Sequence, residues 1–480
     1  MAFARKIAYN VVFSSGAKVA STVLALISIG FITRYLGKDG FGDYATVLAF
    51  LSFFAAILDL GLNAISTREI SRPGAQEESI MGRVFSLRVV SSFLVLIILP
   101  LILLFLPYSK EVKMGISIIA ISFIFNASYQ ILNGVFQKNL AMDKVALAEL
   151  IGKAIQVLII IAVVYYKLGF GWVIGSLFFN MLVSFLLIHF WSRRFIKLKW
   201  QYDPQYWKEF LRESWPMGVS VFITFLYFKM DTILLSLIKS SAEVGIYNAA
   251  YKVIENITFF PSMIMGLILP IMSFSIFSDR KRFLDISNKT FKVFLLIVVP
   301  LTVIVLFLSE GIIELIGGAG FLESAAVLRV LVFALAMIFF GNFFNSILIA
   351  SNMQKKLMII LAFVAALNIS LNLIIIPLWS YLGAAYVSVA TEFLVVVLTS
   401  FWVARKVNYI PSFEKGFQII LSGIAMALFL FIFKEENFSL LVLGSLSVYV
   451  LFLWLLKIIT VKEIKSLFVK EDFYEQGKTA

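Results

Sequence analysis

Three lysines, Lys18, Lys229 and Lys252, stand inside apolar stretches of this chain. About 20 such residues, rising about 1.5 Å each along a helix, cross the hydrocarbon of a bilayer. A lipid-facing ammonium there costs at least about 2.5 kcal/mol on insertion scales, so each lysine must face an acid, another helix or a water-filled cavity. Lys18 has no acid three or four positions away, only the hydroxyls of Ser14, Ser15, Ser21 and Thr22. Lys229 and Asp231 are two apart and point to different faces of a helix, so they cannot neutralise each other. Lys252 and Glu255 are three apart and can pair. Ammonium groups gathered in low dielectric attract phosphate strongly. Two carboxylates, Asp231 and Glu255, are candidates for coupling, because a buried acid can take a proton or Na⁺ in one state and release it in another. A static ion pair with one of the lysines is the competing reading for either acid.

Other intramembrane charges carry structural readings. Glu149 and Lys153 are four apart with the acid first, the spacing of a helical ion pair. Arg34 and Arg329 lie near the ends of apolar runs, where a long side chain can snorkel to the interface. Asp59, in Asp59-Leu60-Gly61-Leu62, faces the connector with Arg68 and Arg72 and reads as a gate or a structural salt bridge; Glu392 has no local partner. The single histidine, His189, stands beside Trp191, Arg193 and Arg194 and reads as an interfacial anchor. Without cysteine and with one histidine, the chain has no thiolate or histidine metal cluster, so no metal and no cofactor beyond a coupling H⁺ or Na⁺ is expected.

The elements that must position these groups are membrane helices. A chain of 480 residues that is 61% hydrophobic and 14% charged, with mean hydropathy +0.98, could not cover itself with a polar surface. Apolar runs at about 9–34, 42–63, 84–106, 114–136, 146–166, 171–191, 214–238, 245–270, 290–309, 324–349, 357–376, 383–403, 417–433 and 439–457 give fourteen expected spans of an all-α polytopic protein. The net charge of +13 sits in short connectors, where it orients the protein rather than binding nucleic acid. Basic residues crowd alternate connectors: Arg5 and Lys6; Arg68, Arg72, Arg83 and Arg88; Arg193 to Arg212; Arg280 to Lys292; and Lys457, Lys462, Lys465, Lys470 and Lys478. The opposite connectors hold only Lys38, Lys110, Lys113, Lys167, Lys239 and Lys434, so both termini are expected in the cytoplasm. No connector could fold as a catalytic domain, which argues against a membrane glycosyltransferase.

The two halves read as weak repeats. Phe41-Gly42-Asp43-Tyr44 after the first span matches Val244-Gly245-Ile246-Tyr247 after the seventh, and Lys167-Leu168-Gly169 matches Tyr381-Leu382-Gly383. Internal repeats with a site at their interface are a transporter build. Two pseudo-symmetric six-helix lobes, 1–200 and 201–410, followed by two extra helices and a cytoplasmic tail, 411–480, are the expected organisation.

Arg34-Tyr35-Leu36-Gly37 with Phe41-Gly42-Asp43-Tyr44, then Asp59-Leu60-Gly61-Leu62 with Arg68, resembles the opening of the polysaccharide transporter family. Gly320 to Leu331, and Asn345 through Ala350 to Lys355, extend the likeness. That family contains the O-antigen and capsule repeat-unit flippases of the multidrug/oligosaccharidyl-lipid/polysaccharide exporter superfamily. The resemblance implies two lobes around a central cavity lined by the first, seventh and eighth helices. It also implies alternating access that carries a polyprenyl-diphosphate-linked glycan from the inner to the outer leaflet of the cell membrane. Lys18, Lys229 and Lys252 then become diphosphate ligands. Membrane lipid, the glycan substrate and a glycan polymerase or glycosyltransferases are the implied partners, and a monomer is expected. A lipid II flippase is the nearest rival, although its cluster of arginines in the first lobe is not seen here. A drug exporter for organic cations would carry acids without competing lysines.

Overall fold

A computed structural model of the chain describes residues 2–458, with side chains placed for Asn10 and from Phe13 onward. The expected tail lysines Lys462, Lys465, Lys470 and Lys478 lie outside the described residues, as do the side chains of Arg5 and Lys6. The described residues are mostly helical, without strands among them. In chain order the helices are α1 (Ala2–Asp59), α2 (Leu62–Ile70), α3 (Glu77–Phe105), α4 (Lys110–Lys138), α5 (Met142–Tyr165), α6 (Phe170–Ser192) and α7 (Pro204–Ile238). They continue as α8 (Ser241–Ile257), α9 (Phe259–Ser278), α10 (Arg280–Gly317), α11 (Ser324–Ala350), α12 (Gln354–Trp402), α13 (Gly416–Ile432) and α14 (Phe438–Leu455).

Eleven segments among the described residues are long and apolar enough to cross a membrane, against fourteen expected spans. The difference has a local cause. Two segments, Phe13–Asp59 and Gln354–Val407, run 47 and 54 residues, more than twice the length a crossing needs. Each contains one backbone break, Gly37 at φ 66° and Ser380 at φ 49°. The polar connectors expected at Arg34–Tyr44 and before Tyr381 are therefore sharp kinks between helices. Gly416–Ile432, at 17 residues, is apolar but falls below the usual length. One assignment is overturned: Arg88, counted above among the connector charges, lies three turns inside α3 and is 1% exposed. Its helix begins at Glu77, well before the apolar run that starts at Val84.

Starts of helices follow local chemistry. Asp203 caps α7, accepting from the Tyr206 amide at 3.0 Å with Pro204 at the first position. Ser240 and Glu243 form a reciprocal capping box at α8. Large apolar side chains such as Phe105 (89% exposed), Leu104, Phe431 and Leu443 face outward, which only a hydrocarbon solvent tolerates.

By packing the chain divides into two compact units. The first comprises Met1–Phe259, Ile313–Ala334 and Gln354–Val395. In it α1 packs on α4, α5, α7 and α8, and Leu62, Met81, Val84, Ile131, Trp207 and Phe210 form a core where α2, α3, α4 and α7 meet. The second comprises Phe260–Ile312, Leu335–Met353 and Val396–Ala480. There α13 and α14 pack together, and Ile419, Met426, Tyr449 and Leu453 close over Leu296 and Val299 of α10.

Candidate functional site

All of the candidate chemistry sits in the first unit. Lys229 leaves α7 and bonds Glu255 Oε1 of α8, and Lys252, one turn before that acid, bonds Oε2 at 2.6 Å. These side chains are largely covered, with exposures of 19% for Lys229, 16% for Lys252 and 32% for Glu255. The Lys229 ammonium also lies 5.1 Å from the centre of the Tyr251 ring, whose hydroxyl donates to the Phe228 carbonyl at 2.6 Å. Lys18 lies 5.5 Å from the Phe259 ring and makes no salt bridge among the described residues. A fourth cation joins them. Lys153 of α5 donates to Gln156 Oε1 at 3.0 Å and lies within electrostatic range of Lys18, Lys252, Glu149 and Glu255. Gln156 is buried and also accepts from Asn180 at 2.9 Å, so the ammonium is held by a fixed neutral acceptor. The pair expected between Glu149 and Lys153 does not close: Glu149 instead accepts from the Tyr129 hydroxyl at 2.7 Å. Four ammonium groups thus face two carboxylates, leaving two positive charges unbalanced.

Asp231 points away from Lys229, as the two-residue spacing requires. Buried at 5% exposure, it meets neutral donors only: Asn372 at 2.8 Å, Ser388 at 2.6 Å and Tyr247 at 3.1 Å. Asn372 also donates to Asn368 at 3.0 Å, while its own amide oxygen has no hydrogen-bond partner among the described residues. Glu392, buried one helical turn beyond Ser388, lies in electrostatic range of Asp231 and of the Tyr227 hydroxyl. That hydroxyl is buried and has no other hydrogen-bond partner among the described residues. Two buried carboxylates and an unsatisfied amide oxygen, with no basic side chain bonded to them, form an all-oxygen set suited to a proton or a hard monovalent cation.

The remaining candidates are structural in placement. Asp59 bonds Arg88, not the Arg68 connector; Arg68 pairs with Glu69 and with Glu213 of α7. Arg34 donates to the carbonyls of Glu314, Leu315 and Ile316, satisfying the C-terminal end of α10. Arg329 lies half-buried in the second turn of α11. Truncating one partner of a buried pair strands the other charge. Arg88→Ala is therefore expected to destabilise the protein by about 3–5 kcal/mol. A melt of the purified protein in detergent checks this, and Arg88→Met with Asp59→Asn should recover most of the loss.

Both repeat glycines mark one close approach. A Cβ on Gly42 would stand 1.7 Å from the Ser241 carbonyl oxygen, and one on Gly245 would stand 2.2 Å from that of Lys38. At the opposite end of the same crossing, Gly61 (φ 74°) meets Ser214 and Gly218 of α7. The crossing after Gly37 is thus held by bare backbone at both ends. Sequence reasoning missed Asn368, Asn372, Ser388 and Gln156. The first three are visible as polar stripes at helical spacing, Asn368–Asn372 and Ser388–Thr391–Glu392, in an otherwise apolar run.

Comparison with known proteins agrees with this architecture. A family model described as "Polysaccharide biosynthesis protein" matches residues 7–276. A candidate O-antigen transporter of Shigella flexneri is 25% identical over 340 residues, covering 68% of this chain and 79% of that protein. Among solved structures, the lipid II flippase MurJ in an inward closed conformation superposes with a TM-score of 0.75 at 19% identity, covering 92% of this chain and 98% of that one. An inward-facing multidrug resistance MATE family transporter of the MOP superfamily gives 0.68 at 13% identity, over 83% and 98%. These last two likenesses are of fold. With the family model matching more than half of its length, this polytopic membrane chain belongs to the polysaccharide biosynthesis protein family.

Proposed function

We propose that the protein is a flippase for polyprenyl-diphosphate-linked oligosaccharide repeat units, working by alternating access between leaflets of the cell membrane. The observation that carries this reading is the charge balance of the lysine cluster. Lys18, Lys153, Lys229 and Lys252 exceed Glu149 and Glu255 by two charges, and a diphosphate diester carries two negative ones. Ammonium-to-phosphate contacts are charge-assisted and strengthen in low dielectric. The cluster sits in a membrane-spanning unit, where a lipid-linked headgroup must pass. Asp231, with Asn368, Asn372 and Ser388, is the proposed seat of the coupling H⁺ or Na⁺; Glu255 is already engaged by two lysines.

The proposed topology is fourteen crossings, counting one on either side of Gly37 and of Ser380 and one at Gly416–Ile432. Both termini are cytoplasmic, the lobes are 1–200 and 201–410, and the protein works as a monomer. Glycosyltransferases that build the repeat unit supply the cargo, and a glycan polymerase consumes it.

Complementation tests the reading. In cells whose own repeat-unit flippase is deleted, the wild-type chain is expected to restore surface glycan. The Asp231→Asn variant should restore less than about a tenth of it. Failure of the wild type there, together with rescue of cells lacking their lipid II flippase, would move the assignment to the peptidoglycan precursor.

A further inference from the structure

We propose that Glu255 is a tethered anion, which occupies Lys229 and Lys252 in the substrate-free carrier and is displaced from them by the diphosphate of the cargo. This rests on the reading of those lysines as the diphosphate site. Glu255 offers one carboxylate oxygen to each lysine: Oε1 receives Lys229 and Oε2 receives Lys252. A diphosphate presents the same pattern, anionic oxygens set side by side to receive separate ammonium groups. The carboxylate is also the more exposed partner, at 32% against 19% and 16%. An incoming anion must therefore exchange with it.

The surroundings favour exchange over collapse. When the carboxylate withdraws, Lys229 keeps the face of Tyr251, a ring anchored through its hydroxyl to the Phe228 carbonyl. Lys18 and Lys153 have no bonded acid among the described residues and remain available to attract the dianion throughout. A carrier must also release what it binds. Four ammonium groups in low dielectric would hold a dianion for long times. A carboxylate three residues from one of the lysines competes at the high effective concentration of an intramolecular group, which lowers affinity and speeds release.

Titration of the purified full-length protein with farnesyl diphosphate, followed by calorimetry, tests this. Glu255→Gln is expected to bind at least tenfold more tightly than wild type. In a vesicle flipping assay the same variant should show KM and kcat falling together, because the cargo is held too long. A carboxylate that merely ties α7 to α8 would give the opposite, a folded Glu255→Gln protein whose Kd is unchanged or raised, and that result overturns the proposal. If Glu255→Gln does not fold, Glu255→Asp serves: one methylene shorter, it withdraws from Lys229 and should tighten binding about threefold, whereas equal or weaker binding again overturns it. Absence of farnesyl diphosphate binding in wild type and variant alike would instead sink the diphosphate-site reading on which the proposal stands.

Discussion

Replacing Lys18, Lys229 and Lys252 together with alanine is expected to abolish surface glycan while leaving normal amounts of protein in the membrane. A hydrogen bond to a charged group contributes about 1.5–3 kcal/mol. Three such losses exceed about 4 kcal/mol, a factor of at least about 1000 in affinity. The loss is compounded because Glu255 would then stand without either lysine and would repel the cargo. Glycan staining at the cell surface, with immunodetection of the protein in isolated membranes, reads both quantities. Normal glycan in the triple variant would end the anion-site account, since Lys153 alone could not hold a dianion against two carboxylates.

A second large effect is expected where backbones meet. Gly245→Val should hold open the end of the crossing near Lys38, because its side chain would overlap the Lys38 carbonyl, and Gly218→Val should do the same at the Leu60 end. In either variant transport should fall by at least about 100-fold, one step of the cycle being blocked. The chain has no cysteine, so a single one placed at Thr22, a helical turn beyond Lys18 on the same face, reports access cleanly. A membrane-impermeant thiol reagent should label it at least tenfold faster from the Lys38 side in Gly245→Val, and from the opposite side in Gly218→Val. Unchanged labelling from both sides, with transport retained, would mean that these glycines only pack.

What the sequence revealed of this arrangement depended on distance along the chain. Two-residue spacing separated Lys229 from Asp231, and each does take a partner on another helix. The recurrence of Gly-x-Tyr anticipated that Gly42 and Gly245 are related positions; that they touch follows from a crossing too close for any side chain. Short-range rules failed where a distant group competed. Glu149 and Lys153 have ideal spacing for a pair, yet Tyr129 takes the acid and Gln156 takes the base. Asp59 bonds Arg88, 29 positions away, because the arginine is deep in α3 and has no other way to offset its charge. The Asp231 cluster joins residues 141 and 157 positions apart, which hydropathy cannot link. The separate helices expected on either side of Gly37 and of Ser380 are present, but they meet at a kink instead of a polar connector. A single residue in the left-handed region turns the chain, so helical bonding resumes at once and the polar residues nearby are absorbed into the helices.

The most direct test of the central claim is movement of cargo by the purified protein. Vesicles containing a fluorescent polyprenyl-diphosphate oligosaccharide, with and without the protein, would be followed by quenching of the outer-leaflet label. Wild-type protein should move the lipid between leaflets at a rate at least about 100 times that of empty vesicles. The Lys18, Lys229 and Lys252 triple variant should not exceed the empty-vesicle rate. Equal rates for wild type and triple variant, or no movement with wild type, would contradict the account.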